Sequence, residues 1–182
     1  MVHDALSAGA LVAALEAAGV THVVGLPDNA SAALFHALAD HQAIRLVSVT
    51  REGEACALAA GLWLGGAVPL VSVQNTGLLE SGDALRGTAA RMGCPLVLLV
   101  GWRGRARTVA AGLDPAAGIG AREDLVRPDA DSAALMTLPT LDAWGIPWHV
   151  LESDVPAAVN AAFRQARSGA RPVALLLPGA LT

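Results

Sequence analysis

The chain predicts a three-layer α/β/α domain on a six-stranded, mainly parallel sheet, and three observations carry that reading. Strand-like and helix-period segments alternate six times over from end to end, the rhythm of a sheet with crossover helices. The strands are continuous apolar runs rather than alternating ones, as strands covered on both faces must be. Abundant Ala and Gly beside two Phe and no Tyr imply close-packed layers of small side chains.

A first amphipathic helix is expected over about residues 4–18, closed by Gly19 just past its end. The short apolar strand "THVVGL" follows, then the turn "PDNA" and a helix over about 31–40. "IRLVSVT" is the second strand, and a helix beginning near Glu52 runs to Gly65-Gly66. "PLVSVQN" is the third strand, a helix over about 77–92 comes next, and "PLVLLVG" is the fourth. Residues 102–130, rich in Arg, Gly, Asp and Pro, read as irregular. A helix to about Trp144, the strand "WHVLE", a helix over about 155–167 and a last strand "PVALLLP" complete the pattern.

The 182 residues, 54% of them apolar, suffice for one core that buries roughly 70% of the unfolded chain's surface. No linker, repeat or low-complexity tract divides them, so one domain over 1–182 is expected. Net charge is −4, and all twelve basic residues are arginines scattered along the chain. Neither nucleic acid nor an anionic membrane is then an expected partner. Without lysine there is no Schiff base and no phosphate-cradling P-loop. No apolar run of membrane-spanning length and no signal-like leader is seen, which reads as a cytoplasmic protein. Cys56 and Cys94 read as small core residues.

In open parallel sheets ligands collect outside the carboxyl ends of the strands. The peptides that fall there are "PDN" at 27–29, "TRE" at 50–52, "QNTG" at 74–77 and "WRG" at 102–104. The turn after the first strand, "GLPDNA", has a proline where a dinucleotide's pyrophosphate needs close backbone approach. No nucleophile elbow is present, and the five histidines lack metal-ligand spacing. Two acids, Glu52 and Glu54, open one helix. Acids there complement the free N–H groups and the positive end of the dipole, so both could be capping groups alone.

"REGEACALAAG", then "VPLVSVQNTGL", then "CPLVLLVGWRG", with "LDAWGIPWHVL" later, together resemble the pyrimidine-binding domain of thiamine-diphosphate enzymes. The resemblance runs from about residue 8 to 178 and is strongest to phosphonopyruvate and sulfopyruvate decarboxylases, in particular the α subunit of the split sulfopyruvate type. It implies that Glu52, nine residues before Gly61, is the acid that bonds the pyrimidine ring nitrogen of thiamine diphosphate and activates the cofactor by proton exchange. Burial at a subunit interface would raise such an acid's pKa. Glu54 falls where the family has a non-catalytic polar residue.

The same resemblance places Asp28 and Asn29 in a turn facing the active site, as substrate and cofactor contacts respectively, against a plain turn and helix cap. Gln74 and Asn75 match cofactor-binding positions and Thr76 a substrate-binding one, against an N-cap at Asn75 or Thr76. Trp102 and Arg103 match substrate-binding positions, and a guanidinium there suits a carboxylate, phosphonate or sulfonate. Arg105 and Arg107 extend the positive stretch or are solvated loop arginines.

Complete enzymes of this class also carry a Gly-Asp-Gly motif and a later asparagine that hold Mg²⁺ and the diphosphate. Here the only Gly-Asp is Gly82-Asp83, followed by Ala84, and the next asparagine is Asn160. The expectation is therefore a pyrimidine-binding α subunit whose Mg²⁺ and diphosphate are held by a separate β subunit, in a hetero-oligomer of two α and two β subunits or larger. Its substrate would be a small anionic 2-oxo acid, a 3-substituted pyruvate. Two departures stand out: Leu79 and Glu80 replace the family's glycine and asparagine, and the acidic, histidine-bearing loop after "WRG" gives way to a longer segment through Ser132. A carboligase subunit and a non-catalytic scaffold subunit are the alternatives.

Overall fold

Along the central strands successive apolar side chains alternate between two cores. Val23, Leu70, Val97, Leu99, Val173 and Leu175 pack on one face. Val24, Val71, Val73, Leu98, Val100 and Leu176 pack on the other. The computed structural model describes residues 6–182, and its six strands are β1 His22–Gly25, β2 Arg45–Ser48, β3 Pro69–Gln74, β4 Val97–Gly101, β5 Trp148–Val150 and β6 Val173–Leu177. They form one sheet of order β2-β1-β3-β4-β6-β5, parallel throughout. The three-layer α/β/α expectation therefore holds.

The helices are α1 Ala8–Ala17, α2 Ala32–Leu38, α3 Glu52–Leu64, α4 Asn75–Glu80, α5 Gly82–Ala84, α6 Arg105–Ala110, α7 Ser132–Ala143 and α8 Val155–Gly169. Helices α1, α2 and α8 cover the first face, while α3 and α7 cover the second. Side-chain caps start three of them: Ser7 accepts from Ala10 N–H, Asp131 from Ala133 N–H and Asp154 from Ala157 N–H, each satisfying a donor with no intrahelical partner. The expected start of the first helix at residue 4 lies outside the described residues. Among the described residues no helix is long and apolar enough to cross a membrane.

Two expectations are corrected. The helix expected over 77–92 begins at Asn75 and breaks after Glu80, continuing through α5 into a π-helical turn, Leu85–Ala90. Ser81 marks the break: its hydroxyl donates to the Gly77 carbonyl, 2.7 Å away. Residues 102–130 are not irregular throughout, because α6 and a 3₁₀ turn, Arg122–Val126, lie within them. Arg127 donates to the Ala111 carbonyl and pairs with Asp129, and Asp131 N–H donates to the buried Thr108 hydroxyl. Arg107 closes the segment on the Pro128 carbonyl.

Connections from β1 and β3 leave toward opposite sides of the sheet. Their junction is the switch point where parallel sheets open a crevice. Gly25 of β1 pairs with Ser72 of β3, and an added Cβ there would stand 2.8 Å from the Ser72 carbonyl carbon.

Candidate functional site

The carboxyl ends of β1, β3, β4 and β6 enclose a cleft of about 720 Å³. Asp28, Asn29, Gln74, Trp102 and Arg103 line it together with Arg105 and Arg107, so five of the eight expected site residues converge. Glu52, Asn75 and Thr76 do not line it.

Asp28 is a turn residue with one oxygen to spare. Its Oδ1 accepts from the N–H groups of Ala30 and Ser31 at 2.6 and 2.9 Å, which organises the entry to α2. Its Oδ2 is buried and has no partner, beside Gly101, where an added Cβ would lie 3.4 Å from it. A buried acceptor left unpaired is costly, and here it points to a ligand donor. Asn29 is exposed on the rim.

Trp102 is the wall of the cleft, 3% exposed. Its indole N–H donates to the Ala134 carbonyl at 3.0 Å, and the Arg105 guanidinium lies 5.4 Å from the ring centroid, within cation–π range. Arg103 is exposed, leaving its guanidinium accessible to an anion. Asn75 is fully buried: its amide nitrogen donates to the Arg103 carbonyl and the Thr137 hydroxyl, and its oxygen accepts from Thr76 N–H. It supports the site from behind by holding the Arg103 turn, rather than meeting the ligand as expected.

Glu52 is the first residue of α3, after extended Arg51. Three carboxylates meet at this helix mouth. Glu54 accepts from the Thr50 N–H and hydroxyl at 3.0 and 3.1 Å, and these donors, the N–H first, hold its carboxyl below the ordinary glutamate value. Glu80 reaches over from α4 to accept from Gly53 N–H at 2.7 Å and from Arg51. Those contacts, again the N–H first, lower its carboxyl too. The Glu52 carboxylate makes no hydrogen bond among the described residues. It lies half-buried across Gly77, where an added Cβ would stand 2.6 Å from Glu52 Cδ. Behind it, burial above all pushes the Cys56 thiol up to about 11, with smaller pushes from Glu80 and Glu52 against a hydrogen bond to Ser81.

Two features, at separate places, suit the polar aminopyrimidine half of thiamine diphosphate: a carboxylate free of internal bonds over a glycine at the α3 mouth, and an unpaired Asp28 oxygen in the cleft. For the metal half, no group of three or more His, Cys, Asp or Glu among the described residues converges to hold an ion. Glu80, Gly77 and Arg105 were not identified as site residues in the sequence. Glu80 shows only as a departure from the family pattern, since its partners stand 27 and 29 residues away. A second cleft, of about 570 Å³, opens at the amino ends of β1 and β2 around His22, His41 and Arg45. His41 there already accepts from Ile44 N–H and faces Glu16.

The family described as "Thiamine pyrophosphate enzyme, N-terminal TPP binding domain" matches residues 7–120. Phosphonopyruvate decarboxylases of Streptomyces viridochromogenes and Streptomyces hygroscopicus are 39% and 38% identical to it over 100 residues. That match covers 55% of this chain and 25% of each relative, so the chain spans about a quarter of the length of the curated relatives it matches. Among solved structures, benzoylformate decarboxylase from Polynucleobacter necessarius superposes with a TM-score of 0.69 at 20% identity, over 95% of this chain and 30% of that one. A putative thiamin diphosphate-dependent enzyme from Mycobacterium smegmatis gives 0.66 at 23% identity, over 95% and 30%; these likenesses speak to the fold alone. With the family match spanning more than half of its residues, the chain belongs to the thiamine pyrophosphate enzymes and carries their N-terminal cofactor-binding domain.

Proposed function

We propose that this chain is the pyrimidine-binding α subunit of a split thiamine-diphosphate 2-oxo acid decarboxylase, acting on a 3-substituted pyruvate such as phosphonopyruvate or sulfopyruvate. The observation that carries the reading is Glu52: a carboxylate at a strand's carboxyl end, free of internal hydrogen bonds and laid over a glycine. When bound, thiamine diphosphate supplies the nucleophilic carbon and the electron sink for decarboxylation. Glu52 exchanges a proton at the pyrimidine ring nitrogen, and Gly77 leaves room for its carboxylate. Asp28 Oδ2 accepts a hydrogen bond from the bound ligand. Arg103, backed by Arg105, draws the substrate's carboxylate and its phosphonate or sulfonate to the cleft. Gln74 supplies a polar edge at the end of β3, with Asn29 on the opposite rim and Thr76 at the α4 end.

In this reading a separate β subunit holds the diphosphate and Mg²⁺. The test is co-expression with a chain carrying the Gly-Asp-Gly motif, followed by assay of CO₂ release from phosphonopyruvate, sulfopyruvate and pyruvate with thiamine diphosphate and Mg²⁺. Release that needs both chains and Glu52 is the expected result. A stable, cofactor-loaded complex that releases no CO₂ but joins two carbonyl fragments would establish a carboligase instead. Failure of the two chains to assemble would refute the split arrangement.

A further inference from the structure

The N-terminus of α3 presents donors and a positive dipole end to every carboxylate near it. Glu52, as the first residue of that helix, is within a short bend of its own N–H groups. A carboxylate captured there would be turned away from a ligand. One of those donors, Gly53 N–H, is taken by another acid, while Glu54 bends back onto Thr50, which precedes the helix. Glu80 crosses from α4 and takes Gly53 N–H at 2.7 Å with one oxygen, while its other oxygen holds Arg51. Glu80 lies three residues after Gly77, so the helix that presents the donor-capping carboxylate also presents the bare backbone on which Glu52 rests. Arg51 balances the charge that Glu80 brings to the site.

We propose that Glu80 is a positioning residue for Glu52: by occupying Gly53 N–H and pinning α4 against the first turn of α3, it keeps the Glu52 carboxylate unbonded and over Gly77. The inference rests on the reading of Glu52 as the cofactor-activating acid, and it assigns a purpose to a residue by which this chain departs from its family. Glu80→Ala vacates the donor, and Glu52 moves onto it. Glu80→Gln keeps an acceptor oxygen for Gly53 N–H and restores the arrangement in part.

The first readout needs no partner and no cofactor: crystal structures of the full chain and of its Glu80 variants. In Glu80→Ala the Glu52 carboxylate is expected to leave Gly77 and accept from Gly53 N–H, and in Glu80→Gln to stay over Gly77. A Glu52 carboxylate still unbonded over Gly77 in Glu80→Ala overturns the proposal; should that variant not fold, the same position in Glu80→Leu or, failing that, an inactive Glu80→Gln that keeps the Gly53 bond overturns it equally. The second readout is kcat and KM of the assembled enzyme. Glu80→Ala should lower kcat about ten-fold with KM within about two-fold, and Glu80→Gln should recover part of the loss. Glu52→Gln, assayed beside them, separates the two ideas. Full activity in Glu52→Gln removes the reading of Glu52 itself, whereas an inactive Glu52→Gln with a fully active Glu80→Ala removes only the clamp.

Discussion

At the scale of single residues the site is defined by which polar atoms are used up inside the chain and which are left over. Asp28 Oδ2 is left over, the Glu52 carboxylate over Gly77 has no hydrogen-bond partner among the described residues, and Asn75 is used up on Arg103, Thr76 and Thr137. In the proposed role of Glu52 as the proton-transfer group, Glu52→Gln should cost turnover at least about 100-fold, the low end for a positioned acid–base group, with circular dichroism unchanged. Gly77→Ala should separate stability from activity. Alanine is favoured over glycine in a helix by about 1 kcal/mol, so thermal stability should hold or rise. Its Cβ would displace the Glu52 side chain, so activity should fall nearly as far as in Glu52→Gln. Parent-like turnover in Gly77→Ala would show that the position of Glu52 over Gly77 is immaterial. The cysteines form a third case: both are buried, and Cys56 is further silenced by a thiol pushed to about 11. A thiol reagent at neutral pH should therefore find neither until the chain is unfolded, and both afterwards.

At the scale of elements, the strands and the helices between them were legible because burial on both faces demands unbroken apolar runs. The start of α3 at Glu52 was legible from the acids and the change of period. The break after Glu80 was not, since it is set by the Ser81 hydroxyl on Gly77 and by packing of α5 against Trp144, whose ring would lie 2.8 Å from a Cβ at Gly82. Nor was the order in residues 105–131, where the ties join residues 16 to 23 apart and leave no periodic trace. Of the site, the strand-end peptides could be found from the sheet class alone, and Glu52 needed the resemblance as well. The role of Asn75 could not be found, because a buried and a ligand-facing asparagine look alike in sequence. The β1–β3 junction makes a prediction of its own. Gly25→Ala forces a side chain into the Ser72 peptide of the neighbouring strand. It should destabilise the chain by about 3 kcal/mol, the upper range for overpacking, or prevent folding, measured by urea denaturation.

At the scale of the whole molecule the sheet divides chemistry from support. Its carboxyl edge gathers the cleft and the helix mouth, while its amino edge carries His22, His41 and Arg45. The two edges together set how stability responds to acid. His22 has its pKa lowered, by burial first and by Arg45 second. The unfolded chain therefore binds a proton at His22 before the folded chain does, and stability falls as pH drops through the ordinary histidine value. Glu80 and Glu54 are also lowered. Their contribution is complete above the unfolded carboxylate value and is lost as pH falls through their lower folded values. All three shifts slope the same way, so the melting temperature should decline in two stages: a shallow one between about pH 7 and 5.5, set by His22, and a steeper one in the carboxylate range. His22→Gln should flatten the first stage and leave the second. Glu80→Gln should weaken the second and leave the first. A melting temperature that rises on acidification from neutral pH, or a first stage that survives in His22→Gln, would refute this account and place the acid response of the chain in other groups.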